Sequence, residues 1–514
     1  MTYTTFAAVL AGAFLVAFLC ERLLGRLDAR EPPAVYSKLP FLGHLVNMQR
    51  LQIEYIVRLS VRHKSLQAFT LKMLGTRLYI INDATLVQLV LRNTKTISFE
   101  PLELQFVVKT FRLDDRVKKI LEYNAPNDEP TYLSELHTAT SSSLMNGPAL
   151  HEMNARVLEC LFESLNGIGA EEQQKNLYDW IRYIFTQASA EALYGPQNPI
   201  KHDRSLIESL WDFDSELARL MLNILPQIVA PKAYKGRARL QAAFKKYYAG
   251  DHYKDGASLI KERLRIGLKW GLNMEDLASF ELAILFATTT STVPSGFWLI
   301  CYIFSNQQLL ESVRSEVETI VTRKTIDGVD TLTMDISAFQ KSTPLLVASF
   351  QELLRLTNFG VPARSVLEDT ILGSKYLLKK GALIQMPCGP LHQSSEIWGA
   401  TAKSFDPHRF LAETKDALPT ENRKKQTQGY FPFGGGKNLC PGRHFALTEV
   451  VGMVATLVYA FDFHMADGTP GIRVPRQGVQ KIGSGIKKPG EETEVLVRRR
   501  PGWEGVRFKY EFQK

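Results

Sequence analysis

Apolar positions recur along this chain at helical spacing more often than at strand spacing. Tyr132 to Cys160 reads as helix with a break at Asn146-Gly147-Pro148, and helical patterning returns over Leu177 to Leu225 and Lys235 to Leu268. Two runs, Met274 to Phe304 and Phe445 to Tyr459, are apolar enough to be helices buried on every side. Inside the first, five consecutive hydroxyl residues from Thr288 to Thr292 precede Pro294. Their hydroxyls bond back to carbonyls of the preceding turn, and the proline removes an N–H, which predicts a bend near Thr290. Strand signals are fewer. Leu66 to Met73 and Leu78 to Ile81, parted by Gly75-Thr76, predict a hairpin, and Asn82-Asp83 predicts the cap of a helix reaching about Arg92. Short strands are expected at Gln480 to Ile486 and Glu494 to Arg500. The pattern predicts a mainly α fold with small β-sheets.

The first twenty residues carry no side-chain charge, and Thr4 to Cys20 is an apolar run just long enough for a transmembrane helix. Arg22, Arg26 and Arg30 follow the run instead of preceding it, and no small-x-small cleavage site comes after it. An uncleaved anchor is therefore expected in place of a signal peptide, with the basic flank keeping the body cytosolic. Pro32-Pro33 and Leu39-Pro40-Phe41-Leu42-Gly43 then predict a stiff turn. The expected order is a membrane anchor over 1–24, a basic, proline-rich hinge over 25–45 and one large body over 46–514, undivided by repeats or low-complexity linkers.

With 45% hydrophobic and 22% charged residues, the chain can bury a large core and is not a disordered polymer. The net charge of +9 favours acidic partners, but Lys and Arg are scattered. Nucleic-acid binding gains no support, and an anionic membrane face or an acidic redox protein fits better. The basic set Lys245, Lys246, Lys254, Lys261, Arg263, Arg265 and Lys269 reads as solvated helix faces. Five cysteines, Cys20, Cys160, Cys301, Cys388 and Cys440, are widely spaced, with no C-x-x-C and no zinc-type Cys/His pattern, which implies a reducing compartment.

One cysteine stands apart. In Phe431-Pro-Phe-Gly-Gly-Gly-Lys-Asn-Leu-Cys440-Pro-Gly-Arg-His-Phe-Ala446, a glycine-rich loop ends at a cysteine in the expected N-cap position, with Pro441 at the expected first helical position. Free N–H groups and the positive helix end favour a thiolate there, and Gly434 to Gly436 let the backbone close around it. Such a sulfur is suited to be a ligand or a nucleophile. A second local signal is Glu352-Leu-Leu-Arg355, whose spacing puts carboxylate and guanidinium on one helix face; taken alone, that is a common surface pair.

The Cys440 stretch closely resembles the haem-binding signature of cytochrome P450 proteins: Phe433, Gly436, Cys440 and Gly442 fall on its fixed positions, and Ala446 follows. The resemblance implies the P450 fold from about Pro32 onward, so that 46–514 is a haem-thiolate catalytic domain preceded by one N-terminal transmembrane helix. It implies heme b as cofactor, Cys440 as the thiolate ligand of its iron and Phe433 as the shield of the sulfur. An anionic sulfur pushes electron density through iron and favours O–O cleavage. Asn438 departs from the Arg or His usual two residues before the cysteine, leaving Lys437, Arg443 or His444 to meet a haem propionate. The family's W-x-x-x-R is absent from the helix that begins at Tyr132, where His137 is the candidate replacement. Pro362-Ala-Arg364 falls where the family turns into the sheet beside haem, making Arg364 the best propionate partner, with Phe359 and Val361 toward substrate.

The same resemblance makes Glu352 and Arg355 the E-x-x-R pair and Arg409, in Phe405-Asp-Pro407-His-Arg409-Phe410, the third member of a buried structural network. Ala287-Thr-Thr-Thr-Ser-Thr-Val-Pro294 falls on the helix that crosses the distal haem face. Aligning Ala287 with the family alanine puts Thr290 at the usual acid, Ser291 at the usual threonine and Thr292 next. The proton-delivering acid is missing, and Thr290, Ser291 and Thr292 remain as the catalytic hydroxyls. That departure, with the following proline, looks like the sterol 7-hydroxylase and prostacyclin synthase branch. Ile482 to Ile486 resembles the turn that reaches into the pocket, with an ordinary exposed hairpin as the alternative.

Taken together, the resemblance implies a haem-thiolate monooxygenase on the endoplasmic reticulum membrane, single-pass, with its catalytic domain cytosolic. Electrons would come from NADPH through NADPH–cytochrome P450 reductase, with cytochrome b5 as a further donor. The apolar distal helix and the anchor favour a lipophilic small molecule, a terpenoid, steroid, polyketide or alkaloid, and the chain is similar to fungal secondary-metabolism members. The alternatives are a haem-thiolate isomerase or dehydratase without a redox partner, a non-catalytic haem sensor, and a cysteine hydrolase pairing Cys440 with His444.

Overall fold

The computed structural model describes residues 27–39, 42–73, 75–123 and 129–511. The expected anchor over 1–24, with Arg22 and Arg26, and the Pro40-Phe41 step of the hinge lie outside them. Helices dominate the described residues. Tyr132–Ser143 and Pro148–Asn166 part at the Gly147-Pro148 break, and Thr131 and Ser134 cap the first reciprocally. Leu177–Tyr194, Ser205–Ser215, Pro231–Ala249 and Ser258–Lys269 follow, and they share one core with the later helix Arg443–Ala460.

Met274–Phe304 is long and apolar enough to cross a membrane, yet 78% of its apolar window is buried within the body, so it is the core helix. It breaks where Pro294 predicts. Met274–Thr289 and Thr292–Phe304 are separate segments joined through Thr290-Ser291. Proline offers the Thr290 carbonyl no N–H, and the ladder resumes with Ser295 N–H donating to the Ser291 carbonyl at 3.2 Å.

The largest sheet has six strands in the order Ala34–Val35, Ala68–Met73, Thr76–Ile81, Leu383–Gln385, Ala363–Val366, Ile97–Ser98. Its hairpin sets Ala68 opposite Ile81 and Met73 opposite Thr76. Asp83 then caps Ala84–Arg92 by accepting the Leu86 N–H at 2.9 Å. The proline segment is stitched to this sheet: Thr70 donates its hydroxyl to the Pro32 carbonyl at 2.7 Å, and Ala34 pairs with Thr70.

Three expectations from the sequence are corrected. Gln480 to Ile486 is not a strand, because Gly483 takes φ +120° and breaks the pleat, leaving Ile486 with a single bridge to Asn358. Cys440 is not the N-cap; the Pro441-Gly442 turn delays the helix to Arg443 and makes Gly442 the cap. Arg263 is not a solvated charge but 5% exposed, with its Nε 3.4 Å from the carboxylate of buried Glu281. Its neighbours Lys245, Lys254, Arg265 and Lys269 do lie at the surface, paired with Glu275, Asp251, Glu262 and Glu135.

Candidate functional site

Three backbone bonds close the loop that carries Cys440. Gly434 N–H donates to Phe431 O at 2.9 Å, Cys440 N–H to Phe433 O at 3.0 Å and Leu439 N–H to Gly436 O at 3.2 Å. Gly436 has φ +64°, and a Cβ there would lie 1.8 Å from the Leu91 carbonyl oxygen, so only glycine lets the loop seat on the end of Ala84–Arg92. Phe433 packs its ring against the main core. Burial is the largest influence on the Cys440 thiol and pushes its pKa up; the backbone N–H groups of Gly442 and Arg443 and the Arg443 guanidinium pull it down. A facing cation tips such a balance to the thiolate. Arg443 also donates from Nη1 to the Cys440 carbonyl at 3.1 Å.

Helix Pro344–Thr357 positions the loop from behind. Arg355 and Glu352 form a forked pair, Nε to Oε2 and Nη2 to Oε1 at 2.7 Å each, with both side chains at 0% exposure. Arg355 Nη1 also donates to the carbonyls of His392 at 2.6 Å and Ala402 at 2.5 Å. Arg409 brings its Nε within 3.5 Å of Glu352 and donates to the Trp398 carbonyl at 2.9 Å. Two residues that sequence reasoning missed connect this network to the cysteine loop. Burial, reinforced by the Arg355 charge, pushes the His392 pKa down to about 3, so its neutral Nε2 accepts the Phe431 N–H at 3.2 Å. Asn358 Nδ2 donates to the Pro432 carbonyl at 2.8 Å. Neither residue has a local signal, because its partner lies tens of residues away.

The other wall is the broken helix. Thr290 and Thr292 are buried, and their hydroxyls donate to Phe286 O at 2.9 Å and Thr288 O at 2.7 Å. Ser291 instead meets Ser484 Oγ at 3.4 Å and accepts the Gly485 N–H at 3.4 Å. The Ile482 to Ile486 turn is thus packed on the break, with Ser484 and Ile486 buried, and is no exposed hairpin. From it, Gly485 O accepts the Phe359 N–H at 2.8 Å, beside Asn358, so the turn, the break and the cysteine loop are joined by consecutive contacts. Midway along this helix, Ala283, Ile284, Ala287, Thr288 and Ser291 are accessible between buried Leu282, Leu285, Phe286 and Thr289, and Ala287 is exposed. Their i, i+3, i+4 spacing marks one face opening onto free space. Thr288, on that face, was not singled out from the sequence, although counting helically from Ala287 would have found it.

Basic groups gather at the edge of this space. Arg364 is 6% exposed, lies over the Phe99 ring at 5.5 Å and donates to the Ala363 carbonyl at 2.8 Å. Among the described residues it pairs with no carboxylate, and burial pushes its pKa down. His137 donates from Nε2 to Glu103 at 2.7 Å, which raises its pKa, and the Lys437 charge from the cysteine loop opposes that rise. Phe359 is buried and Val361 partly accessible.

Residues 32–489 match the cytochrome P450 family profile. The chain belongs to the cytochrome P450 family. This P450 is 32% identical over 505 residues to a cytochrome P450 monooxygenase of Gibberella zeae, covering 95% of this chain and 94% of that one. It is 29% identical over 493 residues to cytochrome P450 monooxygenase nodJ of Hypoxylon pulicicidum, with 95% and 93% covered. It is 25% identical over 512 residues to the 5-beta-cholestane-3-alpha,7-alpha-diol 12-alpha-hydroxylase of Sus scrofa, with 95% and 97% covered. Retinoic-acid-bound cyanobacterial CYP120A1 has the same fold, with a TM-score of 0.63 at 19% identity over 91% of this chain and 99% of that one. The P450 is by family a monooxygenase, an oxidoreductase, and haem iron is the cofactor its family implies.

Its residues fit that group. Cys440 is the one partly accessible cysteine among the described residues, while Cys160, Cys301 and Cys388 are buried thiols whose pKa burial pushes up. Buried Arg364 lacks an anionic partner of the kind a propionate provides, and the accessible face around Ala287 leaves room for a flat group.

Proposed function

We propose that this P450 inserts one oxygen atom from dioxygen into a lipophilic small molecule, of terpenoid, steroid, polyketide or alkaloid class, in secondary-metabolite biosynthesis. The observation that carries this reading is Cys440, a sulfur facing two backbone N–H groups at the end of a glycine loop. In this reading Cys440 ligates the iron of heme b, Gly436 and Phe433 shape its seat, and Arg364, Arg443 and His137 meet the propionates, with Lys437 beside His137. When bound, haem supplies the activation of dioxygen. Ser291, Thr290 and Thr292 line the proton route: Ser291 offers a hydroxyl on the accessible face, and the Thr290 carbonyl, left without a helical donor by Pro294, holds a water. Val361 faces substrate, with Phe359 packed behind it. Relatives named as fungal monooxygenases and as sterol 12-alpha-hydroxylases support a hydrophobic polycyclic substrate. Electrons come from NADPH through cytochrome P450 reductase, with cytochrome b5 as a second donor, at the endoplasmic reticulum membrane held by the segment over 1–24.

Reduced Cys440→Ala under carbon monoxide is expected to lack the red-shifted band of thiolate-ligated haem, and retention of that band overturns the ligand assignment. In a reconstituted system, product formation is expected to require NADPH and reductase, with labelled dioxygen entering the product. Conversion at full rate without air or NADPH overturns the oxygen-insertion reading and favours an isomerase.

A further inference from the structure

Lys245, Lys254, Arg265 and Lys269 each face a carboxylate, but Lys109, Arg112, Lys232, Lys235 and Arg237 form no ion pair among the described residues. These five lie where the end of helix Glu100–Phe111 meets the first turns of helix Pro231–Ala249. Carboxylates in the neighbouring segments are already engaged. Glu216 accepts the Lys232 N–H at 2.8 Å and pairs with Arg219 at 3.4 Å, and Asp114 accepts the Val117 N–H at 2.7 Å.

Two of the unpaired cations share one aromatic ring. The Arg237 guanidinium lies over Tyr234, 5.3 Å from the ring centroid, and Arg112 Nη1 donates to the Tyr234 hydroxyl at 3.3 Å. Arg237 is 4% exposed, and its Nη1 donates to the Thr110 carbonyl at 2.8 Å, at the helix end. The rest of its fork donates to nothing among the described residues and is not sealed from the surface, while Arg112 beside it is exposed. Burial first, and then the Arg112 charge, push the Arg237 pKa down, so two like charges face each other with no anion between them. An anion placed there is favoured by both, and two guanidinium forks suit the oxygens of a phosphate.

The same face carries an apolar tip. Leu222, Ile224, Leu225 and Ile228 are 42%, 63%, 64% and 74% exposed. They follow the short helix Leu217–Leu220, which packs on both Glu100–Phe111 and Pro231–Ala249, so the tip and the arginine pair are neighbours. Apolar side chains this open, beside unpaired cations, match the boundary of a bilayer, where acyl chains meet headgroups. We propose that Arg112 and Arg237 bind the phosphate of an anionic phospholipid whose acyl chains cover Leu222 to Ile228. Lys109, Lys232 and Lys235 add attraction to an anionic surface. A soluble phosphate ester leaves the tip bare, and a zwitterionic lipid brings a cation of its own toward the arginines. The site holds whether or not the oxygen-insertion reading does.

The test is photolabelling of the full-length holoenzyme in phosphatidylcholine vesicles that contain phosphatidic acid with a diazirine near its headgroup, followed by peptide mapping. The proposed anchor over 1–24 would hold the chain on any bilayer, so the readout is where the label falls. Label is expected within 107–113 or 221–240, and the same diazirine on phosphatidylcholine should give about fivefold less there. Arg112→Gln changes an exposed side chain and should leave the fold intact while lowering the phosphatidic acid label about fivefold. The carbon monoxide spectrum of the same samples reports the haem reading independently. Equal labelling by phosphatidylcholine reduces the face to apolar contact, and displacement by inorganic phosphate alone makes the occupant a free anion. Either result, an unchanged label in Arg112→Gln, or no lipid label on this face, which would leave it to an acidic protein, overturns the proposal.

Discussion

Removing Glu352 or Arg355 should unseat the cysteine loop rather than slow the chemistry, and the two single variants should differ in a defined way. Glu352→Ala leaves a guanidinium in the core with carbonyls of His392, Ala402 and Ser404 around it and no counter-charge. Arg355→Ala leaves those carbonyls without their donor, while Glu352 keeps the Asp406 N–H at 3.0 Å and Arg409 at 3.5 Å. Breaking one side of a buried pair costs about 3–5 kcal/mol, a large share of a total stability of about 5–15 kcal/mol. The arginine carries the carbonyl bonds as well as the pair, so its loss is expected at the top of that range and the loss of Glu352 near the bottom. The double variant removes both charges and should cost about as much as Arg355→Ala alone, well short of the sum. Urea unfolding of all three variants, with haem per polypeptide measured alongside, checks this. Additive costs, or a Glu352→Ala protein with wild-type stability and haem content but no turnover, would refute the structural role.

Other outcomes follow from single positions. Gly436→Ala should lose most bound haem because its Cβ meets the Leu91 carbonyl at 1.8 Å, whereas Gly434→Ala, with φ +72° and nothing nearer than 3.7 Å, carries only about 1–2 kcal/mol of backbone strain and should keep it; equal haem content in both variants counts against the seating argument. Glu449 is wholly buried beside the Ser189 hydroxyl at 2.8 Å, and burial raises its pKa from 4.5 to about 8. The native state thus holds this proton longer than the unfolded chain, so stability is full below pH 4.5 and lost as pH rises from there toward 8, by about 3 kcal/mol at pH 7. Glu449→Gln should flatten that slope in denaturation curves, and an unchanged slope rejects it. Ser291→Ala should release hydrogen peroxide and lower the product formed per NADPH, while Thr292→Ala should leave that ratio near wild type; the reverse order would move the proton route.

What the sequence made legible was what neighbours in the chain decide. Asp83 capping its helix, the Gly147-Pro148 break and the Pro294 interruption each depend on residues within one turn. Arg263 shows the limit: its partner Glu281 lies on another helix, and the surrounding lysines and arginines made the whole segment look solvated. Pro441 shows another. Proline suits the first position of a helix and also a turn, and Gly442 after it extended the turn. His392 and Asn358 were invisible because a buried neutral imidazole and an amide that tie two loops together have no periodic signature.

In the proposed reading, the placement of the hydroxyls on the broken helix makes up for the missing acid. Thr290 and Thr292 direct their protons to bonds with the preceding turn, at 2.9 and 2.7 Å, so of the three hydroxyls on the proposed route theirs are the more tightly held. Both contacts of Ser291 are long, at 3.4 Å, and the residue lies on the accessible face. A hydroxyl held this loosely can exchange its partner for a water at little cost, and the Thr290 carbonyl, bereft of a donor at Pro294, supplies an acceptor one residue away. On that proposal proline and serine act together: one opens a backbone acceptor and the other keeps a mobile proton beside it. An ionisable acid would bring a charge into this apolar helix, and the neutral pair avoids that desolvation.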